Sequence, residues 1–412
     1  MKKIAMVLGA GRGQVPIIDL CHKYGWETVV VSPKGNYPGF AVSEYSAYAD
    51  VRDKETVLEI AQKYNVQLVL SDQLDEAVPT AAYVSERMNL RGIPYDVALK
   101  FRNKVIMKEE AQKLGVKTAK FFVINNKEDA YAHLSEMNFP VVIKPSDSSA
   151  SRGITKVYCE ADVTDSIDYA LQYSRNQEII IEEYIEGALF SVDAFTMNGK
   201  VTNLDIGYAR NFELDDKFIT KEIINVNAED AVLDPMAKAV LDTNKCLIEG
   251  FGYPFGISHA EYVVNEKGEV YLIEAAARGG GNISTTVVPA ATGINVVELY
   301  AHLMLGVISD AEIHIERKVA GVVFFLLPEG KIKKISGLNE IKKIPGVSSM
   351  VSEGLEQDAE TKGILDKSSR YGPVYFQCKS LEESRACIEK IRETLNIEIE
   401  GPDGITAQIL WQ

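Results

Sequence analysis

The sequence predicts an α/β and α+β protein: a doubly wound parallel domain, then a mixed region with antiparallel pairs, then a small α+β tail. Three observations carry this. Short apolar runs alternate with helical patterns up to about residue 103, Asn198-Gly199 gives a hairpin signal, and a second hairpin with an acid on each arm lies between Ser258 and Glu274. A parallel return needs a crossover helix, whereas a tight Asn-Gly turn joins antiparallel neighbours.

Ile4 to Leu8 and Thr28 to Val31 are strand-like runs, separated by Val15, Ile17, Ile18 and Cys21 at helical spacing. A helix from about Glu55 to Tyr64, the run Leu68 to Leu70 and a helix from about Glu76 to Met88 continue the alternation. Phe121 to Ile124, Pro140 to Lys144, Lys156 to Cys159 and Glu178 to Glu182 read as strands, with helices at about Glu128 to Met137 and Val163 to Tyr173. Leu189 to Thr196 and Val201 to Gly207 flank the Asn-Gly turn, whose central residues need positive φ. After about Ile315 come strands near Ala320 to Leu327 and Val374 to Cys378 and a helix from Leu381 to Leu395. These pattern changes divide the chain into 1–103, 104–186, 187–314 and 315–412.

Composition narrows the function. The 412 residues carry 44 basic and 59 acidic side chains, a net charge of −15, which repels a phosphate backbone and argues against a nucleic-acid partner. No run approaches the ~20 apolar residues of a bilayer span, and the apolar run after Met1-Lys2-Lys3 is too short for a signal peptide, so a cytoplasmic, membrane-free protein is expected. The five cysteines are scattered without a C-x-x-C pair and suggest neither disulfides nor zinc.

Five segments have the residue types for chemistry. Gly9-Ala10-Gly11-Arg12-Gly13 follows a strand and opens a helix, where backbone N–H groups can approach an anion; its spacing is not that of a dinucleotide fingerprint, so a tight turn or part of a substrate site are the readings. Lys144 ends a buried strand and precedes Ser146, Ser148, Ser149, Ser151 and Gly153, small donors suited to phosphate oxygens. Glu182-Glu183-Tyr184-Ile185 ends another strand before Gly187, where backbone groups can pair with a flat heterocycle. In the second hairpin a turn about Lys267-Gly268 opposes Glu261 and Glu274 and puts Ala260, Tyr262, Tyr271 and Ile273 on one apolar face. Two facing carboxylates repel unless a cation joins them, and oxygen-only ligands favour Mg²⁺ over a zinc site built on His259. Arg278-Gly279-Gly280-Gly281-Asn282 follows the second acid, an arginine fork beside backbone able to close on a ligand.

Taken in this order, with Asn103-Lys104 opening a helix, the segments resemble the ATP-grasp superfamily, in form similar to its carbamoyl phosphate synthetase-like and L-amino acid ligase members. The resemblance implies an ATP-grasp fold behind an N-terminal parallel domain. It places ATP phosphates on Lys104, Lys144 and the 146–153 loop, and adenine beside Glu182, Glu183, Tyr184 and Ile185. It puts Mg²⁺ on Glu261 and Glu274 and the transferred phosphoryl group on Arg278. Gly11, Arg210, Gly279, Gly280, Gly281 and Asn282 are left as substrate candidates. Two positions depart from the family pattern: Leu189 stands where a ribose-binding acid is frequent, and Ala276 where an asparagine is usual. The implied reaction joins a small carboxylate to an amine through an acyl phosphate, releasing ADP and phosphate. Alternatives are a phosphoribosyl amine or bicarbonate substrate on the same fold, or a nucleotide-binding regulatory module without turnover. A homodimer is an open expectation.

Overall fold

The structure, a computed structural model, describes residues 2–148, 151–214, 217–281, 283–310 and 312–412. Its first strands, β1 (Lys3–Leu8), β2 (Trp26–Ser32), β3 (Tyr45–Tyr48) and β4 (Leu68–Leu70), form a wholly parallel sheet in the order β3-β2-β1-β4. Both faces are buried, which is why these strands read as continuous apolar runs rather than alternating ones. Met6, Leu8, Val29 and Val31 pack on one side against the helices Lys54–Lys63 and Val78–Arg87. Ala5, Val7 and Val30 pack on the other with helix Val15–Lys23 and with Val296, Val297 and Ala301 of helix Val296–Met304. Edge strand β3 escapes sequence reading because it is four residues long and presents only Tyr45 and Ala47 to the core.

The chain then adds β5 (Lys117–Thr118), β6 (Phe121–Ile124), β7 (Val141–Pro145), β8 (Thr155–Val157) and β9 (Ile179–Glu183). The last four make an antiparallel sheet, β6-β9-β7-β8, over a core of Ile124, Leu134, Ile143, Ile167 and Ile181. Next come β10 (Ala188–Met197), β11 (Lys200–Asn211), β12 (Thr220–Asn227), β13 (Gly256–Val264) and β14 (Val270–Ala276). Asn198 and Gly199 take φ of 52° and 73° at the β10–β11 turn, as the dipeptide requires.

The tail supplies β15 (Val319–Phe325), β16 (Gly330–Ser336), β17 (Val347–Met350), β18 (Glu360–Thr361), β19 (Tyr371–Cys378), β20 (Asn396–Glu400) and β21 (Thr406–Gln408). Three of these join the central sheet, whose order is β17-β19-β15-β12-β11-β10-β13-β14-β5. The sheet therefore runs across the division drawn at residue 314, and β5 ties the 104–186 segment to its opposite edge. One face buries the helix Pro235–Gly250, started by Asp234, whose carboxylate accepts from the Met236 N–H at 2.9 Å. Fully burying a side chain such as Phe251 on this face contributes about 1.5 to 3 kcal/mol. The buried Asn244 is satisfied by Tyr262 Oη at 2.9 Å. The other face carries the polar groups described next. Among the described residues no single helix is long and apolar enough to cross a membrane.

Candidate active site

Helix Lys104–Lys113 begins at Asn103, whose Oδ1 accepts from the N–H groups of Val105 and Ile106 at 2.9 and 3.1 Å. Lys104 and Lys108 lie one turn apart on one helix face. Lys144 on β7 and Glu182 on β9 are diagonal neighbours, since Val142 pairs with Glu182 and Lys144 with Ile180. The result is a buried cluster. Glu182 contacts the Lys144 ammonium through one oxygen and lies 2.7 Å from Lys108 Nζ through the other. Burial alone raises the Glu182 carboxyl, but the two ammonium groups hold it down at about 2. Burial pulls Lys108 below its ordinary value, with Glu182 opposing. Lys104 donates to the Ser148 carbonyl at 2.8 Å and lies 3.3 Å from Glu274.

The cluster has a pH signature. The folded Glu182 carboxyl lies below its ordinary 4.5, so it adds stability above about pH 4.5 that is lost as the pH falls toward about 2. Glu182→Gln is expected to lower unfolding free energy at pH 7 by about 3 to 5 kcal/mol. In denaturant titrations its gap to the parent narrows below pH 4.5; a gap independent of pH contradicts the ionised cluster.

The serine-rich loop is tied down at its start. Ser146 N–H donates to Glu178 O at 3.1 Å, its Oγ accepts from Asn176 at 2.9 Å, and Arg102 holds the Asp147 carbonyl. Ser151 and Gly153 both take left-handed φ, 59° and 72°, and a Cβ on Gly153 would meet Pro145 and Tyr173 at 3.0 Å. Ser149 lies outside the described residues. At the end of β9 successive side chains point apart. Glu182 faces the lysines, whereas Glu183 turns away and accepts from Asn138 N–H at 3.0 Å, so its carboxylate does not border this site. Tyr184 lies under the Lys156 ammonium, 3.7 Å from the ring centre, and near Phe218; Ile185 is half-buried beside it.

Glu261 and Glu274 are directly paired across β13 and β14, as expected, but by another route. The turn is centred on Lys267, with Val264 opposite Val270 and Tyr262 opposite Leu272. A bulge between Glu261 and Tyr262, with Ile273 as the extra residue on β14, then brings the acids together. The apolar face is accordingly Ala260, Tyr262, Val264, Leu272 and Ala275; the sequence assignment of Tyr271 and Ile273 to it is corrected. The two acids also do not face each other uncompensated. Glu274 has Lys104, and Glu261 is held well below the carboxylate range by Lys367, against the cost of burial, and then by His259 and Arg278.

His259 Nε2 lies 3.8 Å from Glu261 and Nδ1 3.1 Å from Asp193. Burial opposes charge on the imidazole, but Asp193 outweighs it and pushes the group up to about 10. Among the described residues no group of three or more histidine, cysteine or acidic side chains is arranged to hold a metal. Two opposed carboxylates with side chains about a third exposed (32% and 37%) still suit Mg²⁺, which keeps water and phosphate oxygens for its remaining positions. Ala276 is a buried methyl and adds no donor, while Leu189 is half-buried.

Arg278 forks onto Asp75 of the N-terminal domain, Nε and Nη2 each 2.8 Å from an oxygen. It thereby ties the hairpin to the loop after β4. Beside it, a Cβ on Gly279 would lie 2.4 Å from Ser284 Oγ, and one on Gly280 3.0 Å from His259 Nδ1, so both glycines are needed for close approach; Gly281 has open space, and Asn282 lies outside the described residues. The Gly9–Gly13 loop faces this region through Gln14, which donates to Asp72 O at 2.7 Å. The Gly11 N–H is already taken by Gln14 Oε1 at 3.0 Å, so it is not the open anion donor expected of it.

Arg210 is also corrected. It pairs with Glu222 at 3.4 Å on the sheet face that carries Ile206, opposite the acids, and Arg392 shares that Glu222 at 2.7 Å. Its odd-numbered neighbours face the site, and strand alternation turns it away.

Sequence reasoning missed four groups. Lys108 and Asp75 were legible in principle, one as the i+4 partner of Lys104, the other as an acid after a strand end. Lys367 and Arg370 were not, because the tail has to fold back over the hairpin to bring them in. The Arg370 guanidinium lies 3.9 Å above the Phe324 ring and donates to the carbonyls of Lys367 and Thr220 at 2.9 and 3.3 Å. Burial pulls it down to about 10, with Glu261 opposing. Lysines, an acid pair and arginines converge here.

Comparison with known proteins agrees with this geometry. Residues 137–287 match the ATP-grasp domain family. The chain is 25% identical over 367 residues to a formate-dependent phosphoribosylglycinamide formyltransferase of Sulfurisphaera tokodaii, covering 84% of this chain and 86% of that protein. It is 22% identical over 377 residues to the L-arginine-specific L-amino acid ligase of Bacillus subtilis, covering 86% and 88%. The crystal structure of an L-amino acid ligase from Bacillus licheniformis superposes with a TM-score of 0.78 at 21% identity, over 96% of this chain and 98% of that one; at such identity the likeness speaks for the fold. With the domain match and the fold together, residues 137–287 form an ATP-grasp domain and the chain around it has the fold of that domain's solved relatives.

Proposed function

We propose that this chain is an ATP-dependent carboxylate–amine ligase of the amino acid type, working in the cytoplasm. The carrying observation is the directly paired Glu261 and Glu274, with Lys104 3.3 Å from Glu274. In this reading Lys104 and Lys144 bind the ATP phosphates, and the backbone of 183–185 and the Tyr184 ring border adenine. When bound, Mg²⁺ on the acid pair neutralises charge on the transferred phosphoryl group. The chain's own work is positioning. Arg278, fixed by Asp75, stands beside the acids where phosphoryl charge develops, and Arg370 and Lys367 offer cations to the substrate carboxylate. That carboxylate attacks the γ-phosphorus, ADP leaves with its electron pair, and an amine then displaces phosphate from the acyl phosphate.

A second reading, with formate or another small acid as carboxylate and a phosphoribosyl amine as nucleophile, is favoured by the formyltransferase relatives. An ADP-release screen over pairs of amino acids, formate and phosphoribosyl amines separates the two. Release with amino acid pairs supports the first and release only with formate and the phosphoribosyl amine the second. ATP binding without release on any pair points to a regulatory module. A homodimer is proposed on the analogy of the biotin carboxylase domain dimer of a structural neighbour.

A further inference from the structure

Lys108 has no role in the reaction as described, yet it is the most deeply buried of the three site lysines, 1% exposed, against 3% for Lys144 and 7% for Lys104. Its ammonium lies 2.7 Å from Glu182 and 5.4 Å from the centre of the Phe121 ring. Glu182 is therefore shared by two lysines, Lys144 of β7 and Lys108 of the helix Lys104–Lys113.

We infer that Lys108 is a positioning residue that frees Lys144 for the nucleotide phosphates by keeping Glu182 paired when Lys144 leaves it. This rests on the assignment of Lys144 to ATP. The argument is one of charge. Were Glu182 paired with Lys144 alone, moving that ammonium onto a phosphate would leave a buried carboxylate uncompensated, an expensive state. With Lys108 at 2.7 Å the carboxylate keeps a cation throughout, and Lys144 exchanges one anion for another. The two-to-one ratio of ammonium to carboxylate thus leaves one positive charge available toward the cleft.

The test is calorimetric titration of Mg-ATP and of adenosine into the full-length parent and variants. Lys108→Met is expected to weaken Mg-ATP about 10- to 100-fold, the range of a lost charge-assisted contact, and to leave adenosine unchanged. Lys108→Arg, which restores the charge, should regain most of the affinity. The double variant K108M/E182Q has no buried carboxylate to compensate and should bind Mg-ATP as Glu182→Gln alone does, a comparison available even if Lys108→Met fails to fold. Equal loss for adenosine and Mg-ATP, unchanged Mg-ATP affinity in Lys108→Met, or a double variant weaker than Glu182→Gln would each overturn the inference. A parent that binds no Mg-ATP would instead overturn the nucleotide site itself.

Discussion

Glu274→Gln is expected to cut Mg-dependent ADP formation by at least about a hundredfold, since it removes charge that holds the metal at the developing phosphoryl charge. Its effect on folding should be slight. The Glu274 side chain is 37% exposed and has one ion-pair partner, Lys104 at 3.3 Å, an arrangement worth about 0 to 1 kcal/mol. Glu261→Gln differs because Glu261 is held by Lys367, His259 and Arg278; it should lose turnover and also melt earlier than the parent. Melting curves and a coupled ADP assay on the two variants give the comparison. Variants that lose stability but keep turnover would show that the acids are structural.

Lys144→Met is expected to weaken Mg-ATP binding roughly ten- to hundredfold, the loss of a charge-assisted phosphate contact of about 1.5 to 3 kcal/mol. Removing one member of a buried ion pair normally costs about 3 to 5 kcal/mol of stability because the partner is orphaned. Here Lys108 still neutralises Glu182, so the variant should fold and the binding defect should be readable by calorimetry. Unchanged ATP affinity would remove Lys144 from the nucleotide site.

What could be read in advance follows a physical division. Elements specified by local pattern, such as β4 at Leu68–Leu70, β6 at Phe121–Ile124 and the Asn198-Gly199 turn, appear where the sequence places them. The opposition of the acids was also legible, but not its cause: the turn at Lys267 alone would set Glu261 opposite Ile273, and a bulge at Ile273 restores the pairing and changes which neighbours share their face. Non-local features were not. The joining of β15, β17 and β19 to the central sheet depends on pairing between residues far apart in the chain, as does the arrival of Lys367 and Arg370 at Glu261. Arg210 and Glu183 failed as site residues for a simpler reason: side-chain direction on a strand flips with each residue, and an acid or arginine near a motif has an even chance of facing away.

The central claim is that a substrate carboxylate becomes an acyl phosphate, and transfer of its oxygen is the most direct test. With a carboxylate labelled in both oxygens by ¹⁸O, an amine acceptor, Mg²⁺ and ATP, the phosphate released with ADP should carry one ¹⁸O, and the amide product should keep the other. Mass spectrometry of the phosphate reads this. Phosphate without label would mean that water, not the carboxylate, attacks the γ-phosphorus, and would contradict the ligase account.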